Sequence, residues 1–446
     1  AARGTGAETD ASPPLFAVEL ESCSYGGAAV GDLDADGRPD VVFGTYYNDE
    51  RLVALRGDGT LLWSVPSGGG PIDNSVTVAD LDLDGRPEVV WGNSETTVLH
   101  VADASGHDLW SRRIGEVLDA PKAVADLDGD GRLDLIVASC GAKGAPGGLR
   151  AFDAATGQPI WTAAVGGCYQ SAPLLFDADG ADLPDIVVST WFDNKVRSFS
   201  GRDGSLRWEA EIGDDTYHAG SFGDLNGDDV PDVAVGDFSA SLWAIDGVDG
   251  TILWRRALAG ERYIFGPTAM GDVDADGEAE IVVTGDRLHV YDADGSVERS
   301  IELAGYCARG PVLADIDDDG APDMLLGLHG PRLSAYSGID GRLLYDRRLE
   351  PAGGFDFQPV VADLGGNGEN DAFFVYGRGH SDTPLENWGR AVAVRLGGRG
   401  PWWPTFSHDH HHSGNYASPA GEAVNRPGPT ASATAPPPSP SPTTAI

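Results

Sequence analysis

The run Gly31-Asp32-Leu33-Asp34-Ala35-Asp36-Gly37-Arg38-Pro39-Asp40 is followed at once by Val41-Val42-Phe43-Gly44, and the pattern recurs along the chain. The first Asp of each copy falls at Asp32, Asp80, Asp126, Asp177, Asp224, Asp272, Asp315 and Asp363, a period of roughly 47 residues. A unit of this length cannot bury its apolar face alone, so its neighbours must stack on it. No other feature constrains the fold as strongly.

Each period carries four apolar runs. In the first they are Ala28-Ala29-Val30, Val41-Val42-Phe43, Leu52-Val53-Ala54-Leu55 and Leu61-Leu62-Trp63, with Gly57-Asp58-Gly59 between the last two. Short β-rich runs bounded by Gly, Asp and Pro are strands, and a brief Gly/Asp turn between two of them makes a hairpin. Four strands per period predict one propeller blade. The chain is therefore expected to be all-β, an eight-bladed β-propeller of four-stranded antiparallel blades. Seven blades with extra strands, or a long sandwich or solenoid, are the structural alternatives. A large aromatic closes the units at Trp63, Trp110, Trp161, Trp208, Trp254 and Tyr345, and more weakly near Trp402. It is expected to pack between blades. Leu15 to Val18 stands one strand ahead of the first loop; residues 391–396 and Pro401-Trp402-Trp403 take the last two strand positions of the eighth unit. The N-terminal strand either completes the eighth blade or lies over it. Residues 1–13 read as a loose segment, 14–416 as the propeller, and 417–446 as a Pro/Ser/Thr-rich tail or linker.

Alternating carboxylates on a tight turn point their oxygens into one small volume, which suits a hard cation taking six to eight oxygen ligands. The loop resembles the first half of an EF-hand loop, with a strand where an EF-hand has a helix. Complete ligand sets are expected at Asp32, Asp34, Asp36 and Asp40; at Asp80, Asp82, Asp84 and Glu88; and at Asp126, Asp128, Asp130 and Asp134. Two more are Asp272, Asp274, Asp276 and Glu280, then Asp315, Asp317, Asp319 and Asp323. Asp224, Asn226, Asp228 and Asp232 form a sixth set, in which an amide replaces one carboxylate and Asp229 stands where glycine is expected. In the fourth loop Ala181 takes the third ligand position after Asp177 and Asp179, and in the eighth Gly365 takes the second after Asp363. About five or six calcium ions are expected. Because the loops repeat in every blade, whereas an active site is unique, the ions read as structural.

The formal net charge is −40, from 30 basic and 70 acidic residues, which argues against nucleic acid and anionic membrane surfaces as partners. No apolar run approaches the roughly 20 residues that span a bilayer. The chain starts without a basic and then apolar leader and reads as mature or trimmed. Four Cys are compatible with two disulfides, and calcium loops of modest affinity suit an oxidising, calcium-rich exterior. A secreted or cell-surface protein, monomeric, is expected.

The units, as in Asp80-Leu81-Asp82-Leu83-Asp84-Gly85-Arg86-Pro87-Glu88-Val89-Val90-Trp91-Gly92, resemble the FG-GAP or VCBS repeats of integrin α-subunit propellers and secreted bacterial proteins. The resemblance implies calcium on one face and adhesion or ligand binding on the other. The segment Ala151-Phe152-Asp153-Ala154-Ala155-Thr156-Gly157-Gln158-Pro159-Ile160-Trp161 is similar to the tryptophan-docking repeat of pyrroloquinoline-quinone enzymes. No cofactor pocket of that kind can be picked out.

In a propeller, the loops joining strands two and three and those joining successive blades share the face opposite the acidic loops. Here they carry Tyr47, Trp191, Tyr217, His218, Arg262, Tyr263, Arg309 and His329, with Tyr46, Asp73, Asn74 and others beside them. Aromatic rings next to carboxylates and amides suit sugars, which present CH patches and hydroxyl edges. The expected partner is carbohydrate or another cell-surface polymer, or a protein. A binding or adhesion module is preferred to an enzyme. The enzymatic alternative is a polysaccharide lyase acting on a uronate-containing glycan, with His218, His329 or His380, a tyrosine and an arginine as its working groups. Cys140 and Cys168 share this face and are expected to pair, and a Cys23–Cys307 bridge across the axis is left open. Ser407-His408-Asp409-His410-His411-His412 reads either as a transition-metal chelate or as part of a closing segment.

Overall fold

The computed structural model describes residues 12–93, 95–141, 147–164, 166–168, 171–181, 183–218, 220–399 and 401–403, the last three by backbone alone. The expected loose start before Ser12, the tail and the His408–His412 string lie outside the described residues. Eight antiparallel sheets form a ring of blades, each of four strands, one of them extended to five. The innermost strand of blade one touches those of blades two and eight, so the ring is closed. No helix among the described residues is long and apolar enough to cross a membrane.

Blade one shows why the sequence takes this form. Its strands are Ala29–Gly31, Asp40–Gly44, Arg51–Leu55 and Leu61–Pro66, paired in chain order. The first two strands are buried throughout because a neighbouring blade covers each face, so they read as continuous apolar runs. The outermost strand is only half covered, and in blade four the corresponding Leu206–Glu211 alternates exposed and buried positions.

The blades are joined by one recurring contact. The indole Nε1 of each outer-strand tryptophan donates to a backbone carbonyl of the next blade's hairpin turn: Trp63 to Ala104 (2.8 Å), Trp110 to Ala154 (2.9 Å), Trp161 to Gly201 (2.7 Å), Trp208 to Gly247 (2.9 Å) and Trp254 to Ala293 (2.8 Å). The ring lies on the turn glycine. A Cβ at Gly204 would stand 2.5 Å from the Trp161 ring, and φ there is +70°, so glycine is required twice over. In blade six Arg299 takes the place of the aromatic and donates to the Gly338 carbonyl.

The termini answer the open question about closure. Phe16–Leu20 pairs antiparallel with Trp388–Arg395 and is the outer strand of blade eight, with Phe16 opposite Ala393. Phe16 then plays the tryptophan's part: a Cβ on Gly59, in the hairpin turn of blade one, would lie 2.5 Å from its ring. Pro401–Trp403 is not the last strand of the eighth unit. It pairs with Val312–Ala314, the innermost strand of blade seven, and makes that sheet five-stranded. Two features send it there. The outer edge of blade eight is already filled, and Asn370 turns the chain inward, accepting from the Leu396 N–H and donating to the carbonyls of Gly398 and Asp315. The position expected of Trp402 as a closing aromatic is thus filled by Phe16.

Phe16→Ala should lower the free energy of unfolding by about 3 kcal/mol, the usual cost of a buried Phe→Ala change, whereas the exposed neighbour Ala17→Ser should change it by less than about 0.5 kcal/mol. Denaturant titration followed by tryptophan fluorescence separates the two.

Candidate functional site

The acidic loops connect the first and second strands of their blades and share one face with the hairpin turns. In loop one, the Asp32 carboxylate accepts from the N–H groups of Asp36 (3.0 Å) and Gly37 (2.9 Å), while Asp36 accepts from Arg38 (2.9 Å). The last carboxylate of the loop, already on the second strand, reaches back to a backbone N–H. Asp40 accepts from Leu33 (2.9 Å), Glu88 from Leu81 (2.7 Å), Asp134 from Leu127 (3.1 Å), Asp232 from Leu225 (2.9 Å), Glu280 from Val273 (2.8 Å) and Asp323 from Ile316 (2.8 Å). The backbone therefore pre-orders the carboxylates, whose remaining oxygens converge.

Five groups bring three carboxylate oxygens within 4.8 Å of one another: Asp32, Asp34 and Asp36; Asp80, Asp82 and Glu88; Asp126, Asp128 and Asp134; Asp272, Asp274 and Asp276; Asp315, Asp317 and Asp323. These are the five loops with complete carboxylate sets. Of the five other members, Asp40 and Glu280 make the backbone bonds given above, and Asp84, Asp130 and Asp319 accept from the N–H groups of Arg86, Arg132 and Ala321. The donor set fits a hard divalent cation. Buried Oδ1 atoms of Asp272 and Asp315 have no hydrogen-bond partner among the described residues, as expected of oxygens kept for a metal. Burial, added to by the neighbouring carboxylates, pushes Asp40 up to about 6, Glu88 up to about 7, Glu280 up to about 8 and Asp323 up to about 7. A cation at the focus of the oxygens would hold all of them ionised.

The remaining three loops depart in different ways. Loop five keeps the turn, with Asp229 at φ +65° in the glycine position, while Asn226 as placed directs Nδ2 toward Asp232 and Asp246, each at 3.4 Å. Turned over, the same amide would present its oxygen. In loop four a guanidinium stands among the carboxylates: Arg207 lies 2.7 Å from Asp179 and 2.5 Å from Asp185. Its approach to Asp185 is an ion pair outside hydrogen-bond alignment. Loop eight retains the backbone bonds of Asp363 and Asp371 but forms no three-carboxylate cluster.

The opposite face is individual. An arc of rings runs over blades four to seven. Phe192 stacks on Trp191 (4.4 Å between centroids), Trp191 meets Tyr217 (5.2 Å), and Tyr217 stacks on Phe265 (4.4 Å). Phe265 leads to Phe238 (6.1 Å), Phe238 to Tyr263 (6.1 Å), Tyr263 to Tyr306 (5.4 Å) and Tyr306 to His329 (5.8 Å). Phe192 is 53% exposed and Tyr263 36%. Arg262 pairs with Asp286 (2.9 Å) and lies over Tyr263 and Tyr306. The disulfide Cys140–Cys168 ties blade three to the start of this arc, because Cys168 and Trp191 exchange backbone hydrogen bonds of 2.9 Å. Cys23 and Cys307 are buried and unbridged, so the bridge across the axis is absent.

At the axis the arc meets a cavity of about 190 Å³, lined in part by Tyr46, Asp73, Asp119, Tyr217, His218, Arg309 and Gln358. Arg309 donates to His218 Nε2 (3.0 Å) and to the Asp356 carbonyl (2.8 Å), and the Asp356 carboxylate meets His329 at 2.9 Å. Burial first and Arg309 second hold His218 well below its usual pKa, so it is neutral. The hydrogen bond to Asp356 raises His329. Burial, then nearby carboxylates, pushes Tyr46 up to about 12. Of the expected residues, Tyr217, His218 and Arg309 line the cavity. Trp191, Tyr263 and His329 belong to the arc, and Arg262 lies over it. Tyr47 stands apart, donating to Glu95, with the ring of Tyr46 4.8 Å away.

Tyr25, Asp119, Gln358 and the fully buried Lys122 were missed, as were Phe238 and Phe265. A register signal was available for most of them. The inner strands begin at Ala29, Thr77, Ala123, Ser221, Val312 and Val360, and the cavity residues lie two to four places before those starts: Tyr25, Asp73, Asp119, Tyr217, His218, Arg309 and Gln358.

Lys122 donates to Asn74 Oδ1 (3.1 Å) and the Leu118 carbonyl (3.0 Å), and burial pulls it down to about 7 against Asp119 and Asp73. Between that value and an unfolded pKa of about 10.4, the unfolded chain binds a proton that the folded chain lacks, so this group adds stability as pH rises. The stability of the wild type minus that of Lys122→Met should therefore grow from pH 7 to 9.5, by a few kcal/mol at most. Parallel denaturant titrations at the two pH values measure it, and a constant difference would contradict the assignment.

Comparison with known proteins agrees with this architecture. No curated protein matches the chain significantly. Among solved structures, the V. cholerae biofilm matrix protein Bap1 is similar at 16% identity, over 86% of this chain and 90% of that one, with a TM-score of 0.63. The quinohemoprotein alcohol dehydrogenase from Comamonas testosteroni is similar at 12% identity, over 87% of this chain and 77% of that one, with a TM-score of 0.64. Sqt1 of Saccharomyces cerevisiae is similar at 11% identity, over 86% and 98%, with a TM-score of 0.64. Identities this low show a shared fold. Residues 32–91 match the family model described as FG-GAP-like repeat, so the chain is an eight-bladed β-propeller carrying a repeat of that kind.

Proposed function

We propose that this protein is an exported, calcium-stabilised β-propeller that binds a neutral glycan or a similar surface polymer across the arc of aromatic rings on blades four to seven. The observation that carries the reading is the arc itself. Trp191, Phe192, Tyr217, Tyr263 and Tyr306 stand in one continuous series, partly exposed, with Asp215 accepting from the Phe192 N–H and Asp286 beside Arg262. Rings take the CH faces of sugars, and carboxylates take their hydroxyls. The disulfide supports an oxidising compartment. Bap1, described as a biofilm matrix protein, supports a role at surface polymers.

Charge bears on the choice of glycan. A formal net charge of −40, reduced by about ten if five divalent cations bind, repels polyuronates. Tyr217, one of the tyrosines of the lyase alternative, is held protonated because burial pushes it up. Both points favour binding over lyase chemistry.

Calcium fits the lower face for reasons of donor type: hard oxygens, three to a cluster, pre-ordered by backbone N–H groups. Chelation should lower the melting temperature by more than ten degrees, and equilibrium dialysis should count about five ions per chain. Combining Ala181→Asp with Arg207→Gln should add one ion to the count, because it restores the third ligand of loop four and removes the guanidinium. An unchanged melting curve on chelation would sink the structural role.

Binding is tested by affinity electrophoresis on a panel of neutral polysaccharides (glucan, mannan, galactan, xylan) with alginate as the anionic control. The neutral polymers should retard the protein and alginate should not. Trp191→Ala combined with Phe192→Ala should weaken retardation at least tenfold, since stacked rings contribute about 1 kcal/mol each beyond their burial.

A further inference from the structure

We propose that the axial cavity is a separate subsite that takes one neutral pyranose ring, the terminal sugar of the glycan lying on the arc; this rests on the arc reading above. Three observations lead to it. First, the cavity is about 190 Å³, below the roughly 300–1,000 Å³ of pockets for drug-sized molecules, which suits one small polar ring and excludes a chain passing through.

Second, its wall holds an unpaired polar group. Gln358 is 2% exposed, and its Nε2 donates to the Pro311 carbonyl at 3.1 Å, while Oε1 has no hydrogen-bond partner among the described residues. A buried amide oxygen left so carries an uncompensated desolvation cost, and a ligand hydroxyl donating to it recovers that cost. Asp73 and Asp119 line the same space and accept from further hydroxyls. Arg309, on the cavity wall, is held by His218 and the Asp356 carbonyl, and Lys122, behind Asn74, is pulled by burial toward its neutral form. Arg309 shares the wall with Asp73 and Asp119, so the cavity has no spare positive charge for a carboxylate and suits the hydroxyls of an uncharged polyol.

Third, Tyr217 belongs to both features. It contacts Trp191 and Phe265 in the arc and forms part of the cavity wall. A chain lying on the rings therefore reaches the axis at this residue, with its end pointing into the cavity. The glycan would then be read by its terminus and held by its body.

The experiment uses the full chain in calcium. Glucose, mannose, galactose and xylose are titrated as competitors against whichever neutral polysaccharide retards the wild type, and Gln358→Met and Asp119→Asn are compared with Trp191→Ala. One monosaccharide should displace the polymer at millimolar concentration. Gln358→Met and Asp119→Asn should abolish that competition and weaken polymer binding at least tenfold, with melting temperatures within a few degrees of the wild type. If Trp191→Ala loses the polymer while no monosaccharide competes and both cavity variants bind as the wild type, the cavity proposal is overturned and the arc stands. The competition arm needs no variant, so a misfolded substitution does not rescue the proposal. If no neutral polysaccharide binds and no monosaccharide perturbs the Tyr217 region in saturation-transfer NMR, both readings fall.

Discussion

Everything in this molecule depends on blade covering blade. A four-stranded sheet of Val, Leu and Ala with two apolar faces has no stability alone, and here each blade is completed by the outer-strand residue of the one before it. Trp161 lying on Gly204 illustrates the economy of the contact: a ring, a glycine with no Cβ to obstruct it, and one indole N–H to a backbone carbonyl. The contact recurs from blade to blade and is completed around the ring by Phe16 on Gly59, so the chain's beginning is held by the same device as its middle. The arrangement explains why the second strands are buried from end to end and the outer strands only by alternate residues.

The two faces then divide the remaining tasks. On the acidic face the same turn is built repeatedly, and its variations concern charge. Where a third carboxylate is missing in loop four, the guanidinium of Arg207 stands between Asp179 and Asp185. The arginine solves an electrostatic problem that a divalent cation would solve in the other loops: carboxylates drawn together by a fixed backbone need a positive charge between them. On the opposite face nothing repeats. Aromatic rings gather on blades four to seven, and carboxylates and amides gather toward the axis, so the ring is symmetric in its scaffold and asymmetric in its surface.

How much of this was legible can be judged residue by residue. The five carboxylate clusters were readable because their ligands are local, separated by two to eight positions on one turn. The Cys140–Cys168 pairing was readable because neighbouring loops on one face bring the two together. Arg299 was not readable as a stand-in for tryptophan, since it shares only an N–H donor with the indole and its place in the blade alone reveals the equivalence. Pro401–Trp403 was placed on the wrong sheet, because repeat counting assigns a strand to the next vacant position and takes no account of an edge already filled from the other end of the chain.

The sequence by itself determined the repeat, the blade, the number of blades and the acidic turns, all of which follow from the pattern within one period and from counting its copies. Tertiary structure alone decided which residues share the axis. Tyr25, Asp73, Asp119, His218, Arg309 and Gln358 are separated by tens to hundreds of residues, and they meet because each precedes an inner strand by two to four places. Closing the ring converts that common register into a common location. A period in the sequence states that the positions are equivalent, and only closure makes them neighbours.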